Sequence, residues 1–325
     1  MIPVTVIGGY LGAGKTTLIN HLLRTARGVR LAVLVNDFGE LAIDADLIEA
    51  RDDDVIAIAG GCVCCSFGSD LMAGLERLAA RTPAPDHVLV ETSGVALPGV
   101  VARSVALVPG FGRDGVVVLA DADTVMARAA DRYMGDTIGR QLAEADLLIL
   151  NKIDLPASDH LIALRGWLAT MVPQARLIDA VRGEVPLEVV LGSGPGVADG
   201  TERELDPPDD ANLCYEARSF AIPPGIDARA LAHALARPET GVIRAKGIVS
   251  DCDGSRKWVQ IVGARVEIAD VDTPGRSQDV IVCIGARGSL APVAIEDAIH
   301  AETARSGVIR SARAPSRDTP LSTST

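Results

Sequence analysis

A chain of 325 residues with 48% hydrophobic content has material for about two domains of roughly 150 residues each, and it is not a disordered chain. Its 31 basic and 43 acidic residues give a net charge of −12, which argues against a nucleic-acid binder, since such a protein needs positive surface to displace counterions. Aromatic residues make up only 3%, too few for stacking platforms, so the core must be built from Val, Leu, Ile and Ala.

No apolar run approaches the roughly 18 residues needed to span a bilayer, and the first residues, MIPVTVIGG, have no basic leader. A cytoplasmic protein with no membrane partner is expected. Three of the six cysteines (Cys62, Cys64, Cys65) fall within four positions, and in a reducing compartment such clustering points to metal or thiol chemistry rather than to disulfides.

In chain order, short β-branched runs alternate with longer Ala/Leu-rich segments of helical period up to about residue 180. The expected strands are Val4–Ile7, Leu31–Val35, Val55–Ile58, His87–Glu91, Val116–Ala120 and Leu147–Leu150, with a helix at Thr17–Arg24. Their near-continuous apolar character implies burial on both faces. The fold class is therefore α/β, with a mostly parallel sheet and helices on both faces, followed by a smaller α+β domain. The first domain is expected over 1–190 and a Gly/Pro/Asp-rich linker over 191–212. The second domain spans 213–302, with strands at Leu213–Ile222, Val242–Ser250, Lys257–Val262, Ala264–Ala269 and Val280–Ile284. Its helices are Asp227–Ala236 and Pro292–Ala301. Residues 303–325, rich in Ser, Thr, Arg and Pro, read as a disordered tail.

Gly9 to Thr16 reads GYLGAGKT, the pattern G-x-x-x-x-G-K-[ST] between the first strand and the first helix. At Gly9, Gly12, Ala13 and Gly14 the backbone can fold so that its N–H groups face phosphate oxygens, aided by the helix N-terminus. Lys15 would reach the β- and γ-phosphates and the Thr16 hydroxyl would hold Mg²⁺. Asn151-Lys152-Ile153-Asp154 follows a buried strand, and there the Asp154 carboxylate can accept from both the N1–H and the 2-amino group of guanine. Adenine cannot make that pairing, so GTP is favoured.

Glu91-Thr92-Ser93-Gly94 also follows a buried strand, where P-loop enzymes keep an acidic residue at the Mg²⁺ shell and a glycine close to the γ-phosphate. Asp121, after Val116–Ala120, competes with Glu91 for the acidic role. Asp37 and Glu40, after the second strand, are candidates for positioning water or metal, so the catalytic candidates are Lys15, Asp37 and Glu91. In Gly60-Gly61-Cys62-Val63-Cys64-Cys65 the thiolates are soft ligands for Zn²⁺, Co²⁺ or Cu⁺, and the paired glycines permit the sharp turn that convergence on one ion requires. Cys214, Cys252 and Cys283 are isolated and read as core residues.

The set GGYLGAGKTTL, VNDFGE, GGCVCC, ETSG and NKID, in this order and spacing, resembles the CobW-type GTPases, the metallochaperone branch of the P-loop GTPases. VIRAKGIVS and KWVQIVGARVE look like that family's C-terminal domain, so the resemblance covers about residues 2–300. It implies a GTPase that binds zinc or cobalt at the cysteines and delivers it to a client metalloprotein, with a nucleotide-dependent homodimer as a family-level expectation. It also implies that Gly12, Gly14, Lys15, Thr16 and Thr17 bind phosphates and Mg²⁺. Cys62, Cys64 and Cys65 then hold the transferred metal, and Asn151, Lys152 and Asp154 read guanine. Two departures stand out: the usual Asn-Gly before the cysteines is Gly60-Gly61, and the five histidines are scattered rather than clustered. Two rival readings are a P-loop kinase or ATPase with structural cysteines, and a non-catalytic metal or redox sensor.

Overall fold

In the computed structural model, residues 1–37, 55–59, 67–192, 214–271 and 279–313 are described, and of 36–37, 55–59, 67–70 and 306–313 only the backbone. The first half alternates strand and helix. It runs β1 (Ile2–Gly9), α1 (Lys15–Thr25), β2 (Leu31–Asp37), β3 (Val55–Ala59), α2 (Phe67–Ala79), β4 (His87–Glu91), α3 (Pro98–Val105) and β5 (Phe111–Asp121). It continues with α4 (Val125–Ala129), α5 (Gly135–Ala143), β6 (Leu147–Asn151), α6 (Ser158–Met171), β7 (Arg176–Ala180) and α7 (Leu187–Leu191). The strands form one parallel sheet in the order β3-β2-β4-β1-β5-β6-β7.

Alternation along each strand explains the two cores. Val4, Val6, Leu34, Val88, Val90, Val118 and Leu148 face α2, α3, α5 and α6 on one side. Ile7, Val33, Val35, Leu89, Val117 and Ile149 face α1 and α7 on the other. A sheet covered on both faces needs apolar residues at successive positions, which is why these strands read as continuous apolar runs.

The second half is antiparallel. It comprises β8 (Tyr215–Ala221), α8 (Ala228–Leu235), β9 (Val242–Ser250), β10 (Arg256–Val262), β11 (Arg265–Asp270), β12 (Val280–Ala286) and α9 (Pro292–Arg313), with sheet order β11-β10-β9-β12-β8. α8 starts at Asp227, whose carboxylate accepts from the Ala230 N–H at 2.9 Å, a side-chain cap of the kind that Asp provides well. α8 and α9 cover one sheet face, burying Leu231, Leu235, Ile295 and Ile299 against Val249, Val259, Ile261 and Ile281. From the opposite face Tyr215, Ile243, Val262 and Ile284 join the core beneath α1 and α7. The two sheets thus share apolar packing.

A buried polar network lies in the same interface, at the amino ends of β1, β4 and β5. Arg244 pairs with Asp114 and also donates to the Val190 carbonyl at 2.5 Å. Gln260 donates to Asp114 Oδ1 at 2.7 Å, and the Thr5 hydroxyl donates to Asp114 Oδ2 at 2.8 Å. Because the Thr5 proton goes to Asp114, His87 must donate from Nε2 to Thr5 Oγ1, 2.8 Å away. Burial holds His87 neutral, lowering its pKa to about 4 against the pull of Asp114. Burial opposes the Asp114 carboxylate too, but the Arg244 guanidinium and the Thr5 hydrogen bond outweigh it and keep Asp114 ionised well below the usual carboxylate range.

Three expectations need correction. β5 begins at Phe111 rather than Val116, because the Gly- and Asp-containing segment Phe111–Gly115 is drawn out along β1 and bonded by the second sheet. The last helix runs to Arg313, past the boundary expected at residue 302, and 314–325 lie outside the described residues. Cys214 and Cys252 are exposed, the latter in the Asp251–Gly254 turn, and only Cys283 is a core thiol, pushed by burial up to about 12. Of the linker range 191–212, only 191–192 are described. Among the described residues no helix is long and apolar enough to cross a membrane.

Candidate nucleotide site

The carboxyl ends of β1, β4, β5, β6 and β7 gather the candidate residues, as open parallel sheets dispose them. Between the end of β1 and the start of α1 the loop turns at glycines. Gly9 has φ +132°, and a Cβ there would lie 2.4 Å from the Leu119 carbonyl on β5. Gly14 has φ +101°, and a Cβ there would lie 2.3 Å from Asn151 Nδ2. Both positions therefore need glycine for conformation and for space.

Gly14 gives α1 no side-chain cap and its first turn holds no acidic residue, so the partial positive charge of the helix N-terminus is left for an anion. Lys15 is mostly buried and curls back over the loop, its Nζ donating to the Gly9 carbonyl at 3.0 Å. Thr16 Oγ1 donates to Glu91 Oε1 at 3.2 Å, joining the phosphate loop to the end of β4. Thr17 is exposed. Asp121, the rival acid, is engaged elsewhere: its Oδ2 accepts from Lys152 Nζ at 2.7 Å and its Oδ1 from the Asp123 N–H at 3.0 Å.

The side chain of Asn151, expected at guanine, is built into the loop framework in the ligand-free structure. Its Nδ2 donates to the Ala13 carbonyl at 2.9 Å and its Oδ1 accepts from the Gly183 N–H at 2.9 Å. One buried amide thereby ties together the loops that follow β1, β6 and β7. Lys152 beside it takes φ +61°, and Asp154 two residues on is exposed.

Of Asp37 only the backbone is described, and Glu40, Cys62, Cys64 and Cys65 lie outside the described residues. β2 and β3 are nevertheless parallel neighbours, with Asp37 paired to Ala59, so the NDFGE and GGCVCC segments leave from adjacent strand ends. Among the described residues no group of three or more His, Cys, Asp or Glu could hold a metal ion. Sequence reading missed Gln141 and Arg128, which grip the loops around the site from α5 and α4. Their spacing carries no signal apart from the fold.

A parallel sheet with a glycine-rich phosphate loop between β1 and α1, and a carboxylate at the end of β4 touching that loop, defines a P-loop nucleotide-binding protein. The family model described as CobW/HypB/UreG, nucleotide-binding domain, matches residues 3–179, and the chain belongs to that family. It is 33% identical over 317 residues to the zinc chaperone CobW of a Sinorhizobium species, an alignment covering 82% of this chain and 86% of that protein. It is 36% identical over 223 residues to the zinc chaperone CobW of Pseudomonas aeruginosa, covering 59% of this chain and 60% of that protein. Among solved structures, the Zn(II)-bound YjiA GTPase from E. coli is 21% identical, covers 93% of this chain and 98% of its own, and has a TM-score of 0.44.

Proposed function

We propose that the protein is a GTP-hydrolysing metal chaperone that holds Zn²⁺, or Co²⁺, on Cys62, Cys64 and Cys65 and delivers it to a client metalloprotein in a nucleotide-dependent way. The observation that carries this reading is the 3.2 Å contact between Thr16 and Glu91, at the mouth of a phosphate loop. A hydroxyl and a carboxylate are hard oxygen donors that suit Mg²⁺, and they stand where the terminal phosphates of a nucleotide seated on α1 would lie. Mg²⁺ held there would neutralise charge developing on those phosphates. Zinc as cargo is supported by the relatives that are named zinc chaperones and by the preference of Zn²⁺ for thiolates.

In this reading the loop amides from Gly12 to Thr16 bind phosphate oxygens, and Lys15 turns from the Gly9 carbonyl to the β- and γ-phosphates. Asp154 accepts from guanine, with Lys152 beside it, and Asn151 contributes by holding the loops that frame the base and the phosphates. Asp37 and Glu40 position water or the metal shell. The NDFGE and CxCC segments start on neighbouring strands, so GTP could order both and complete the metal site, and hydrolysis would release them. Coupling is reciprocal: metal should tighten GTP binding by the factor by which GTP tightens metal. A homodimer formed in the GTP state is part of the proposal.

Nucleotide competition and metal titration test it. GTP should displace a labelled guanine nucleotide far better than ATP does, and ATP competing equally would remove the guanine reading. Zn²⁺ should bind more tightly with Mg²⁺ and a non-hydrolysable GTP analogue than with GDP, and equal affinity would end the coupling. A Cys64→Ala/Cys65→Ala variant that keeps stoichiometric Zn²⁺ binding would dismiss the cysteine site.

A further inference from the structure

The turn that follows Glu91 is held from a side that phosphate chemistry does not use. Ala96 N–H donates to the Ser93 carbonyl at 3.1 Å, closing a turn through Gly94 and Val95. Gln141 on α5 is only 1% exposed, and its amide nitrogen donates to the Gly94 carbonyl at 3.1 Å and to the Ala96 carbonyl at 2.8 Å. Both amide protons are used, and both go to backbone. On the other side of the turn there is no slack, because a Cβ on Gly94 would lie 2.8 Å from Leu11 N and 2.5 Å from Leu11 Cδ2 in the phosphate loop.

The same helix pair holds the phosphate loop. Arg128 on α4 donates from Nη1 to the Leu11 carbonyl at 2.8 Å, and its guanidinium lies 5.5 Å over the Tyr10 ring. The Tyr10 hydroxyl in turn donates to Met134 Sδ at 2.6 Å, just ahead of α5. Packing alone does not call for an amide at position 141: a methionine of similar length would fill the space without desolvating two donors or restricting a polar side chain. What the glutamine adds is a defined direction for the peptide planes at Gly94 and Ala96.

We infer that Gln141 is a positioning residue for the γ-phosphate end of the site, fixing the Ser93–Ala96 turn against the phosphate loop so that its amides meet the terminal phosphate in one orientation. The inference rests on the nucleotide reading above and names a residue that reading does not need. A residue that sets the geometry of the γ-phosphate alone should separate triphosphate from diphosphate binding.

The test compares wild type, Gln141→Met and Gln141→Asn by GTP turnover and by affinity for GDP and for a non-hydrolysable GTP analogue. Gln141→Met should lower kcat roughly 10- to 100-fold, the size expected of a misplacement transmitted to reacting groups. Its analogue affinity should fall several-fold while GDP affinity stays within about twofold. Gln141→Asn, which keeps the amide on a shorter arm, should show the same order of effects at smaller amplitude. Unchanged turnover, or equal loss of GDP and analogue affinity, would overturn the inference and leave Gln141 a packing residue. Should Gln141→Met not fold, the Asn variant decides by the same criteria. If the wild-type protein hydrolyses no nucleotide, the functional reading fails on its own. Amide exchange at Gly94–Ala96 in the nucleotide-free protein then still decides the clamp, since faster exchange in the variant supports it and unchanged exchange refutes it.

Discussion

The two ends of the parallel sheet are built on different physical terms. At the carboxyl ends, Gly9, Gly14 and Gly94 let neighbouring segments approach closer than a Cβ would allow, and the charged groups Lys15 and Glu91 are held by contacts of 3.0 and 3.2 Å with other parts of the site. At the amino ends, Asp114 is sealed among Thr5, His87, Arg244 and Gln260 with almost no exposure. β1 carries both, with Thr5 in one environment and Gly9 in the other. The lesson is that a single strand can serve a site whose partners exchange at one end, and an interface whose partners are permanent at the other. Mutations at the two ends should therefore register in different assays.

The largest expected effect is at the amino end. Arg244→Met leaves Asp114 without its closest cation, which should cost about 3–5 kcal/mol in denaturant unfolding, while nucleotide affinity stays within about twofold. A comparable loss of nucleotide affinity would erase the distinction between the ends. Next comes Lys15→Met, which should cut GTP turnover roughly 100- to 1,000-fold with a change in stability below about 1 kcal/mol; the readout is steady-state turnover beside a thermal melt.

His87 supplies a pH test of the same contrast. Its pKa falls from 6.5 to about 4 in the folded protein, so between these values the unfolded chain binds the extra proton and the folded one does not. His87's contribution is complete above about pH 6.5 and lost as pH falls toward 4, on the order of 3 kcal/mol in all. Stability measured across that window should fall less in His87→Asn, and equal slopes would show that the histidine is not buried neutral. Asn151→Ala should cost about 1–3 kcal/mol and weaken GDP and a GTP analogue alike, since the side chain ties together the loops after β1, β6 and β7. The smallest effect is expected at the half-exposed Arg165–Asp179 pair, where Arg165→Ala should cost under about 1 kcal/mol and leave turnover unchanged.

Sequence reading was strongest where chemistry is local. The phosphate loop lies between β1 and α1 as expected, and β9 spans Val242–Ser250 to the residue, because apolar runs and glycine spacing are determined by neighbours in the chain. It failed where the partner is distant. Gly112-Arg113-Asp114-Gly115 has the composition of a turn, yet it is strand, because β1 pairs with it and Gln260 and Arg265 of the second sheet bond to Asp114. Gln141 carries no signal in its local sequence, and only the fold places the Gly94 and Ala96 carbonyls beside it. Cys252 was misassigned for the opposite reason: the local turn chemistry of Asp251, Asp253 and Gly254 outranks an apolar reading of the thiol.

The Asp114–Arg244 pair also bears on how the protein is made. Its members are separated by 130 residues, so a nascent chain presents the carboxylate well before the guanidinium that neutralises it has left the ribosome. During that interval the first domain has its sheet but not its cover, and Val117, Leu119 and Ile149 lack the Tyr215, Ile243, Val262 and Ile284 side chains that share their core. The nucleotide-binding half is thus born as a surface waiting for its second half, and a fragment ending after α7 would meet the cell in that unfinished form.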